Sequence, residues 1–254
     1  MRSHHDFPSR FLKRRRTLIV SLPPGYSTHR LQRYPVLYLH DGQNLFHAAA
    51  SFADVTWEAD RTAARLIRSE RIRPVILVGI CNTEDRLDEY APWRDRDEKA
   101  GGRGKRYAGF LVEEVKPFID STYRTRRDRE GTGVAGSSLG GLISLYIASQ
   151  YPEHFGLCGA LSPSLWWAKE RMLRELNQSS AWVRTVRFWI DMGTREGLEP
   201  GGAIATTRRL IERFDRRGLN PGRDYYYWEV ADGEHHETSW AARFDKVLLY
   251  LYGQ

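Results

Sequence analysis

The sequence predicts an α/β fold, with a mostly parallel central sheet covered by helices on both faces. Apolar runs of strand length alternate with runs of helical period through almost the whole chain. Several strand candidates, such as 35–40 and 75–80, are almost continuously apolar, which is typical of strands buried on both faces. The pentapeptide Gly136–Gly140 follows a third such run and precedes a helix-like run. In this kind of fold, ligands bind at the carboxyl ends of the strands.

The strands are predicted from short runs rich in β-branched, aromatic or other apolar residues. In chain order they are 17–22, 35–40, 74–80, 131–136, 157–162, 186–192 and 225–230. Helices are predicted where apolar residues recur at helical spacing, as Val55, Ala59, Ala63 and Leu66 do. These helices are 55–70, 106–119, 139–150, 203–217 and 239–252.

The domain organisation is predicted to be simple. The 254 residues suffice for one sizeable core, and no linker divides them, so 1–254 is predicted to be a single domain. Residues 1–15 are predicted to be an irregular N-terminal extension. The charged, glycine-bearing stretch 93–106 is predicted to be a long mobile loop.

Composition excludes several classes of protein. No apolar stretch approaches the roughly 18 residues of a membrane span, and the N-terminus lacks the pattern of a secretory signal. Cys81 and Cys158 lie among apolar or small neighbours, which predicts buried thiols rather than a disulfide or a metal site. We therefore predict a cytoplasmic protein that needs no metal ion and makes no contact with membranes.

The net charge of +7 raises the question of an anionic partner. Most basic residues are arginines interleaved with acids, which is typical of a solvated surface, and no nucleic-acid motif accompanies them. We predict no nucleic-acid binding. The cluster of Arg10, Lys13, Arg14, Arg15 and Arg16 leaves open the attraction of an anionic substrate.

Gly136-Ser137-Ser138-Leu139-Gly140 fits the G-x-S-x-G pattern of a nucleophile elbow. Ser138 would stand at a strained turn between strand and helix with its hydroxyl exposed, and the glycines allow the close approach of neighbouring backbone. The helix N-terminus beside it offers free N–H groups to a developing negative charge. Ser138 is therefore the candidate nucleophile.

A serine nucleophile needs a base and an acid, which in this kind of fold follow it in the order acid, histidine. The pair His235-His236 lies in the loop after the last predicted strand. Position alone does not choose between the two histidines. For the acid, Glu196 in the loop after 186–192 is favoured over Asp191 inside that strand, because an acid that orients an imidazole needs the reach of a loop.

The turn after the second predicted strand is a candidate for half of an oxyanion hole. Such a hole combines the N–H of the residue after the nucleophile, here Leu139, with an N–H from this turn, for which Gln43 is the candidate. The alternative is a plain tight turn that uses Asp41 and Gly42.

Three further side chains are candidates for binding substrate. Arg86 follows a strand end and suits an anionic or hydroxyl-rich group; the alternative is a surface ion pair with Glu84, Asp85 or Glu89. Trp166 and Trp167 could line an aromatic or acyl pocket, or pack in the core, and we expect one tryptophan in each role.

Several of these segments together resemble the putative esterase family of α/β-hydrolases. That family includes enterochelin (siderophore) esterases, feruloyl and acetyl-xylan esterases, S-formylglutathione hydrolases and mycolyltransferases. The resemblance extends from about Thr17 to the C-terminus. The segments that carry it are Tyr34–Phe46, Trp57–Asp60, Val78–Ile80, Glu89–Tyr90, Ala135–Leu142, Ser162–Trp167 and His235–Trp240.

The resemblance implies an α/β-hydrolase fold with Ser138 as nucleophile. The G-T-x-acid turn of the family matches Gly193–Glu196, which supports Glu196 as the acid. Its H-x-E-x-x-W pattern begins at His235, which supports this residue over His236.

We therefore predict a serine carboxylic-ester hydrolase that needs no cofactor. The predicted substrate is a small acyl, feruloyl or acetyl-sugar, or siderophore-type ester, that is, a small molecule or a carbohydrate. Two alternatives remain, an acyltransferase on the same fold and a catalytically silent binding module. The sequence does not predict an oligomeric state.

Overall fold

The computed structural model describes residues 1–47, 55–178, 181–197 and 201–254, which include an eight-stranded sheet. The strands pair in the order β1-β2-β4-β3-β5-β6-β7-β8. Strand β2 is antiparallel to both neighbours, and all other neighbours are parallel, which confirms the predicted mostly parallel sheet. The strands are β1 (Arg2–Phe7), β2 (Arg16–Ser21), β3 (Val36–His40), β4 (Ile76–Ile80), β5 (Thr132–Ser137), β6 (Leu157–Leu161), β7 (Arg187–Gly193) and β8 (Tyr225–Val230).

The helices are α1 (Ala59–Arg68), α2 (Arg86–Tyr90), α3 (Gly104–Phe110), α4 (Lys116–Thr122), α5 (Leu139–Gln150), α6 (Trp167–Gln178), α7 (Gly202–Arg216), α8 (Glu237–Ala241) and α9 (Phe244–Tyr252). A π-helical turn, Leu111–Val115, joins α3 to α4. The helix predicted at 239–252 is divided into α8 and α9. The sequence analysis missed α2 and α6. The first turn of α6 contains three residues with positive φ, Ala168, Lys169 and Glu170, so the helix does not begin with a regular turn.

Both faces of the sheet are covered, as predicted. Successive residues of β3 point to opposite sides: Val36 and Tyr38 belong to one buried cluster, and Leu37 and Leu39 to the other. Helices α1 and α9 pack on the Leu37 side, and α3, α5, α6 and α7 pack on the Tyr38 side. This double burial explains why the strands are almost continuously apolar.

The N-terminal segment differs from the prediction of an irregular extension, because Arg2–Phe7 forms β1. The pairing with β2 matches Arg2 to Val20 and His4 to Leu18. Most side chains of β1 are exposed, so its backbone ladder leaves no apolar pattern in the sequence. Phe7 packs against the rings of Phe110 and Phe118.

Three residues of the basic cluster at 10–16 pair with acids of this protein. Arg16 is buried and pairs with Glu89 at 2.5 Å, while Arg14 pairs with Glu84 and Asp85. Arg10 bonds the Glu114 carboxylate. These contacts favour the interpretation of the cluster as a paired surface.

The two cysteine thiols differ in burial. Cys158 is buried and Cys81 is half-buried, and both are free. Burial raises the pKa of Cys81 to about 12. Among the described residues, no helix has both the length and the apolar character needed to cross a membrane.

Candidate active site

Ser138 stands at a sharp turn between β5 and α5, as the elbow prediction requires. Its backbone has φ 58° and ψ −124°, a conformation that L-residues rarely adopt. Gly136 is needed here because a Cβ on it would lie 3.0 Å from the Gly140 backbone and from the His40 ring. The Ser138 N–H donates to the carbonyl of Leu161, which ties the turn to β6.

The structure brings Ser138, His235 and Glu196 together from three loops. His235 Nε2 lies 2.8 Å from Ser138 Oγ, and His235 Nδ1 lies 2.7 Å from Glu196 Oε2. His236 is engaged elsewhere, since its Nδ1 bonds Thr238 at the start of α8. The His235 ring packs edge-on against Trp240 and is 46% exposed, so a substrate can reach it.

Glu196 is buried and receives several donors. Its Oε1 accepts hydrogen bonds from Ser162 Oγ at 2.7 Å and from the Gly193 N–H at 2.9 Å. Burial acts to raise the pKa of Glu196, but the hydrogen bonds from His235 and Ser162 and the nearby positive charges outweigh it and lower this pKa. The carboxylate therefore stays ionised while it holds the imidazole.

Asp191, the competing acid of the sequence analysis, does not contact His235. It lies in β7, fully buried, where its carboxylate accepts from Trp189 Nε1 and the Ser162 N–H and pairs with Arg243. Because Asp191 lies within β7, its side chain does not reach His235, whereas Glu196 in the loop after β7 does.

The two proposed oxyanion donors belong to different segments, Gln43 to the turn after β3 and Leu139 to the start of α5. Gln43 lies in a 3₁₀ turn, Gly42–Asn44, and its side-chain Oε1 accepts from the Asn82 N–H. A Cβ on Gly42 would lie 2.6 Å from the backbone of Gly79, so β4 requires glycine there. Leu139 is the first residue of α5, where an N–H has no partner within the helix.

Arg86 pairs with Asp41, and not with Glu84, Asp85 or Glu89 as the alternative of a surface ion pair predicted. It makes a two-pronged ion pair with Asp41 at 2.8 Å for each bond and lies over the Tyr90 ring. Burial would raise the pKa of Asp41, but Arg86 and the hydrogen bond from Asn82 lower it. Arg86 thus supports the turn that holds Gln43.

The two tryptophan rings differ in burial, which agrees with a core role for one of them. Trp167 is buried and donates from Nε1 to the Trp93 carbonyl at 2.7 Å. Trp166 is 51% exposed. It follows Ser164, whose Oγ lies 3.3 Å from Ser138 Oγ and whose N–H bonds the Ser138 carbonyl. Trp166 therefore lies on a loop that borders the nucleophile.

The stretch 93–106 is tied to this same loop. The Asp95 carboxylate accepts from the N–H groups of Asp97, Glu98 and Ala168. The Gly101 N–H donates to Asp88. These bonds anchor a segment that the sequence presented as a long mobile loop.

Several residues of the site were not singled out as site residues from the sequence. Ser162, Trp240 and Arg243 surround Glu196, and the carboxylate of Glu237 accepts from Trp57 Nε1 and from Asn44 at 2.9 Å. Glu237 and Trp240 are part of the H-x-E-x-x-W pattern and so carried a signal. Ser162 was part of a segment of the resemblance, but Arg243 lay outside every motif.

The described residues contain no candidate metal cluster, and one cavity lies apart from the site. Within the described ranges, no group of three or more His, Cys, Asp or Glu side chains is placed to hold a metal ion. A cavity of about 730 Å³, lined by Arg73, Arg129, Arg184, Arg187 and their neighbours, opens at the amino ends of the strands. Chemistry is expected at the opposite ends, where Ser138 lies.

A strand–helix elbow serine that faces a histidine and a buried carboxylate is the arrangement of a serine hydrolase. The chain belongs to the putative esterase family, whose model matches residues 9–251. It is a serine ester hydrolase with the α/β-hydrolase fold, as the resemblance implied.

Individual proteins give the extent of the similarity. The uncharacterized protein YbbA of Bacillus subtilis is 30% identical over 249 residues, 94% of this chain and 93% of that protein. The iron(III) salmochelin esterase of Escherichia coli is 31% identical over 187 residues, 65% of this chain and 42% of that protein. The structure of a ferulic acid esterase superposes with a TM-score of 0.77 at 19% identity, covering 98% of this chain and 96% of the other.

Proposed function

We propose that the protein hydrolyses a small-molecule or carbohydrate carboxylic ester through a triad of Ser138, His235 and Glu196. The observation that carries the proposal is the imidazole of His235, hydrogen-bonded to the hydroxyl on one side and to the carboxylate on the other, at 2.8 and 2.7 Å. These distances are within the range that proton transfer requires.

The mechanism follows from these contacts. Ser138 Oγ attacks the ester carbonyl while His235 Nε2 takes its proton, and Glu196 stabilises the imidazolium without taking a proton itself. The N–H groups of Leu139 and Gln43 hold the oxyanion. The imidazolium protonates the leaving alkoxide, and water then releases the acyl group with the same histidine as base.

The substrate class is proposed from the relatives and from the rim of the site. Relatives named for salmochelin and ferulic acid esters support siderophore-type and feruloyl esters beside small acyl and acetyl-sugar esters. Trp166 supports an aromatic acyl group, because its exposed ring offers a stacking surface on the loop after Ser164. Arg86 is also proposed to contact substrate, although this role is secondary to its ion pair with Asp41.

We also propose that residues 1–254 form a single domain and that the protein is cytoplasmic. A sheet whose strands run from Arg2 to Val230 supports one domain, and the free thiols of Cys81 and Cys158 are compatible with a reducing compartment. Fractionation of cells that express the protein tests the location.

Purified protein tested against acetyl, feruloyl, acetyl-sugar and siderophore lactone esters decides the proposed function. We expect hydrolysis of at least one class and a loss of about 10⁵-fold or more in kcat for Ser138→Ala. A Ser138→Ala enzyme that keeps wild-type turnover would refute the triad. Ester products that appear only when an alcohol is added would instead indicate an acyltransferase.

A further inference from the structure

Two charged side chains lie buried directly behind Glu196 and take no part in the reaction proposed above. Asp191 is in β7, and Arg243 is between α8 and α9. Arg243 Nη2 lies 2.9 Å from Asp191 Oδ1 and 3.4 Å from Glu196 Oε1. Burial of an ion pair often costs as much free energy as the pair returns. Stability alone is therefore a poor explanation for these charges.

Ser162 joins this pair to Glu196. Its Oγ accepts hydrogen bonds from Arg243 Nη2 at 2.5 Å and from Trp240 Nε1 at 2.9 Å. A serine hydroxyl has two acceptor positions and one proton, so its proton is directed to Glu196 Oε1, which lies 2.7 Å away. Arg243 thus orients a hydrogen bond to Glu196 in addition to supplying a positive charge.

Asp191 in turn holds Arg243 in position. Its Oδ2 accepts from Trp189 Nε1 at 2.6 Å, and its Oδ1 accepts from the Ser162 N–H at 3.1 Å. Burial raises the pKa of Asp191 to about 6, against the lowering effect of Arg243. The Asp191 carboxylate therefore depends on Arg243 to stay ionised.

We propose that Asp191 and Arg243 are a positioning pair that keeps Glu196 ionised and aimed at His235, and that their opposite charges set the lower pH limit of activity. The inference rests on the triad proposed above. With Glu196, the three side chains carry a formal charge of −1, the same as an isolated carboxylate. Removal of either member changes that charge beside the imidazole, in opposite directions.

Other charged groups also face the histidine and its carboxylate. Within the described ranges, Glu196 makes ion pairs within 4 Å with His235 and with Arg243. The more distant groups are Glu237 on α8, Glu234 and His236 in the same loop, Asp232 paired with Arg195, and Asp41 paired with Arg86 across the elbow. These groups are unchanged in the variants below, so they cancel in the comparison.

The test is the pH profile of kcat/KM for two single variants. Asp191→Asn leaves the cluster neutral, which disfavours the imidazolium, so the acid limb moves down by about one pH unit. Arg243→Met removes the positive charge that lies 3.4 Å from Glu196, which favours the imidazolium, so the acid limb moves up by about one pH unit. A pair with a structural role alone would lower activity without moving the acid limb in opposite directions.

Matched variants control for charge and for folding. The double variant Asp191→Asn with Arg243→Met restores the −1 charge and returns the acid limb to its wild-type position, and Arg243→Lys, which keeps the positive charge, leaves it there. The exposed pair of Arg223 and Asp224 lies at the amino end of β8, and its variants Arg223→Met and Asp224→Asn leave the limb unmoved. Thermal melts and titration with a fluorophosphonate give the folded, active fraction.

A further variant covers the case in which Arg243→Met does not fold. Ser162→Ala keeps both charges and removes the hydroxyl proton that Glu196 accepts, so kcat falls about tenfold with KM unchanged. Folded variants whose acid limbs do not move, or move in the same direction, would overturn the inference, and so would a Ser162→Ala enzyme with wild-type kcat. An active Ser138→Ala enzyme would refute the triad instead, which keeps the two failures distinct.

Discussion

The elbow serine lies between two polar clusters built from the same kinds of side chain, a histidine, a carboxylate and an arginine. We call the cluster toward β7 and β8 the relay cluster and the cluster in the turn after β3 the turn cluster. The relay cluster consists of His235, Glu196 and Arg243, and the turn cluster consists of His40, Asp41 and Arg86. The same residue types therefore perform two different tasks on either side of one nucleophile.

The two histidines differ in access and in partners. His235 is 46% exposed and has a carboxylate behind it and a hydroxyl in front. His40 is 2% exposed, and its Nδ1 bonds the hydroxyl of Tyr107 at 2.9 Å. Burial lowers the pKa of His40 to about 3, so it stays neutral in the pH range of most enzymes. Solvent access and a carboxylate partner therefore distinguish the candidate catalytic base, His235, from the structural histidine, His40.

The two carboxylates differ in the same way. Asp41 is bound by Arg86 through both oxygens at 2.8 Å, and His40 bonds the hydroxyl of Tyr107 instead of this carboxylate. Glu196 shares Arg243 at 3.4 Å through Oε1 and keeps Oε2 for His235. Arg243 contacts Oε1 of Glu196, and Oε2 of Glu196 is left for the imidazole of His235.

The largest effect on kcat is expected when the two histidines are replaced one at a time. His235→Ala removes the proton acceptor, so kcat should fall by about 10⁴- to 10⁶-fold. His40→Gln keeps a hydrogen-bonding partner for Tyr107 and should change kcat of the folded enzyme by less than about tenfold. Steady-state kinetics on a nitrophenyl ester measures both. Equal losses in the two variants would contradict the distinction between the clusters.

The second comparison concerns the two carboxylates. Glu196→Gln favours the wrong tautomer of His235, so kcat should fall by about 10³- to 10⁴-fold with little change in KM. Asp41→Asn should chiefly lower stability, because Arg86 then lacks its ion pair. The measurement is kcat normalised to the folded fraction. A larger kcat loss for Asp41→Asn than for Glu196→Gln would place the acid in the other cluster.

Much of the fold was predictable because strands buried on both faces leave a strong apolar signal. The strand β8 was predicted with its observed bounds, and β3 and β7 within about one residue. The strand β1 was missed because its side chains are mostly exposed and its stability comes from backbone pairing with β2. A local pattern cannot report a partner elsewhere in the chain.

The candidate site was predictable where a motif or the chain order constrained it. Ser138 follows from the elbow pattern and Glu196 from a loop that opens on the same rim, while the choice of His235 over His236 needed the H-x-E-x-x-W pattern of the family. Arg243 and Ser162 were not predicted, since their roles depend on distances between β6, β7 and the junction of α8 and α9. No spacing along the chain encodes such a contact.

A smaller effect should appear in the pH dependence of stability. The unfolded state protonates His40 near pH 6.5, whereas the folded state does so only near pH 3. Between these values the unfolded state binds one more proton, so the free energy of unfolding falls by about 1.4 kcal/mol for each pH unit of acidification. From pH 7 to pH 5, His40→Gln should therefore lose about 2 kcal/mol less than wild type. Urea unfolding at both pH values measures this, and equal losses would show that His40 is not held neutral.

The smallest effect is expected at Trp166, on the loop that borders the nucleophile. If its exposed ring stacks on an aromatic acyl group, Trp166→Ala loses about 1 kcal/mol of binding, which raises KM about fivefold for a feruloyl ester and leaves KM for an acetyl ester unchanged. Leu31→Ala removes another exposed apolar side chain, at the amino side of β3, and should affect neither ester. Equal increases in KM for both esters would assign Trp166 to the support of its loop. An increase for the feruloyl ester alone would place the acyl group between the two clusters, against the ring of Trp166.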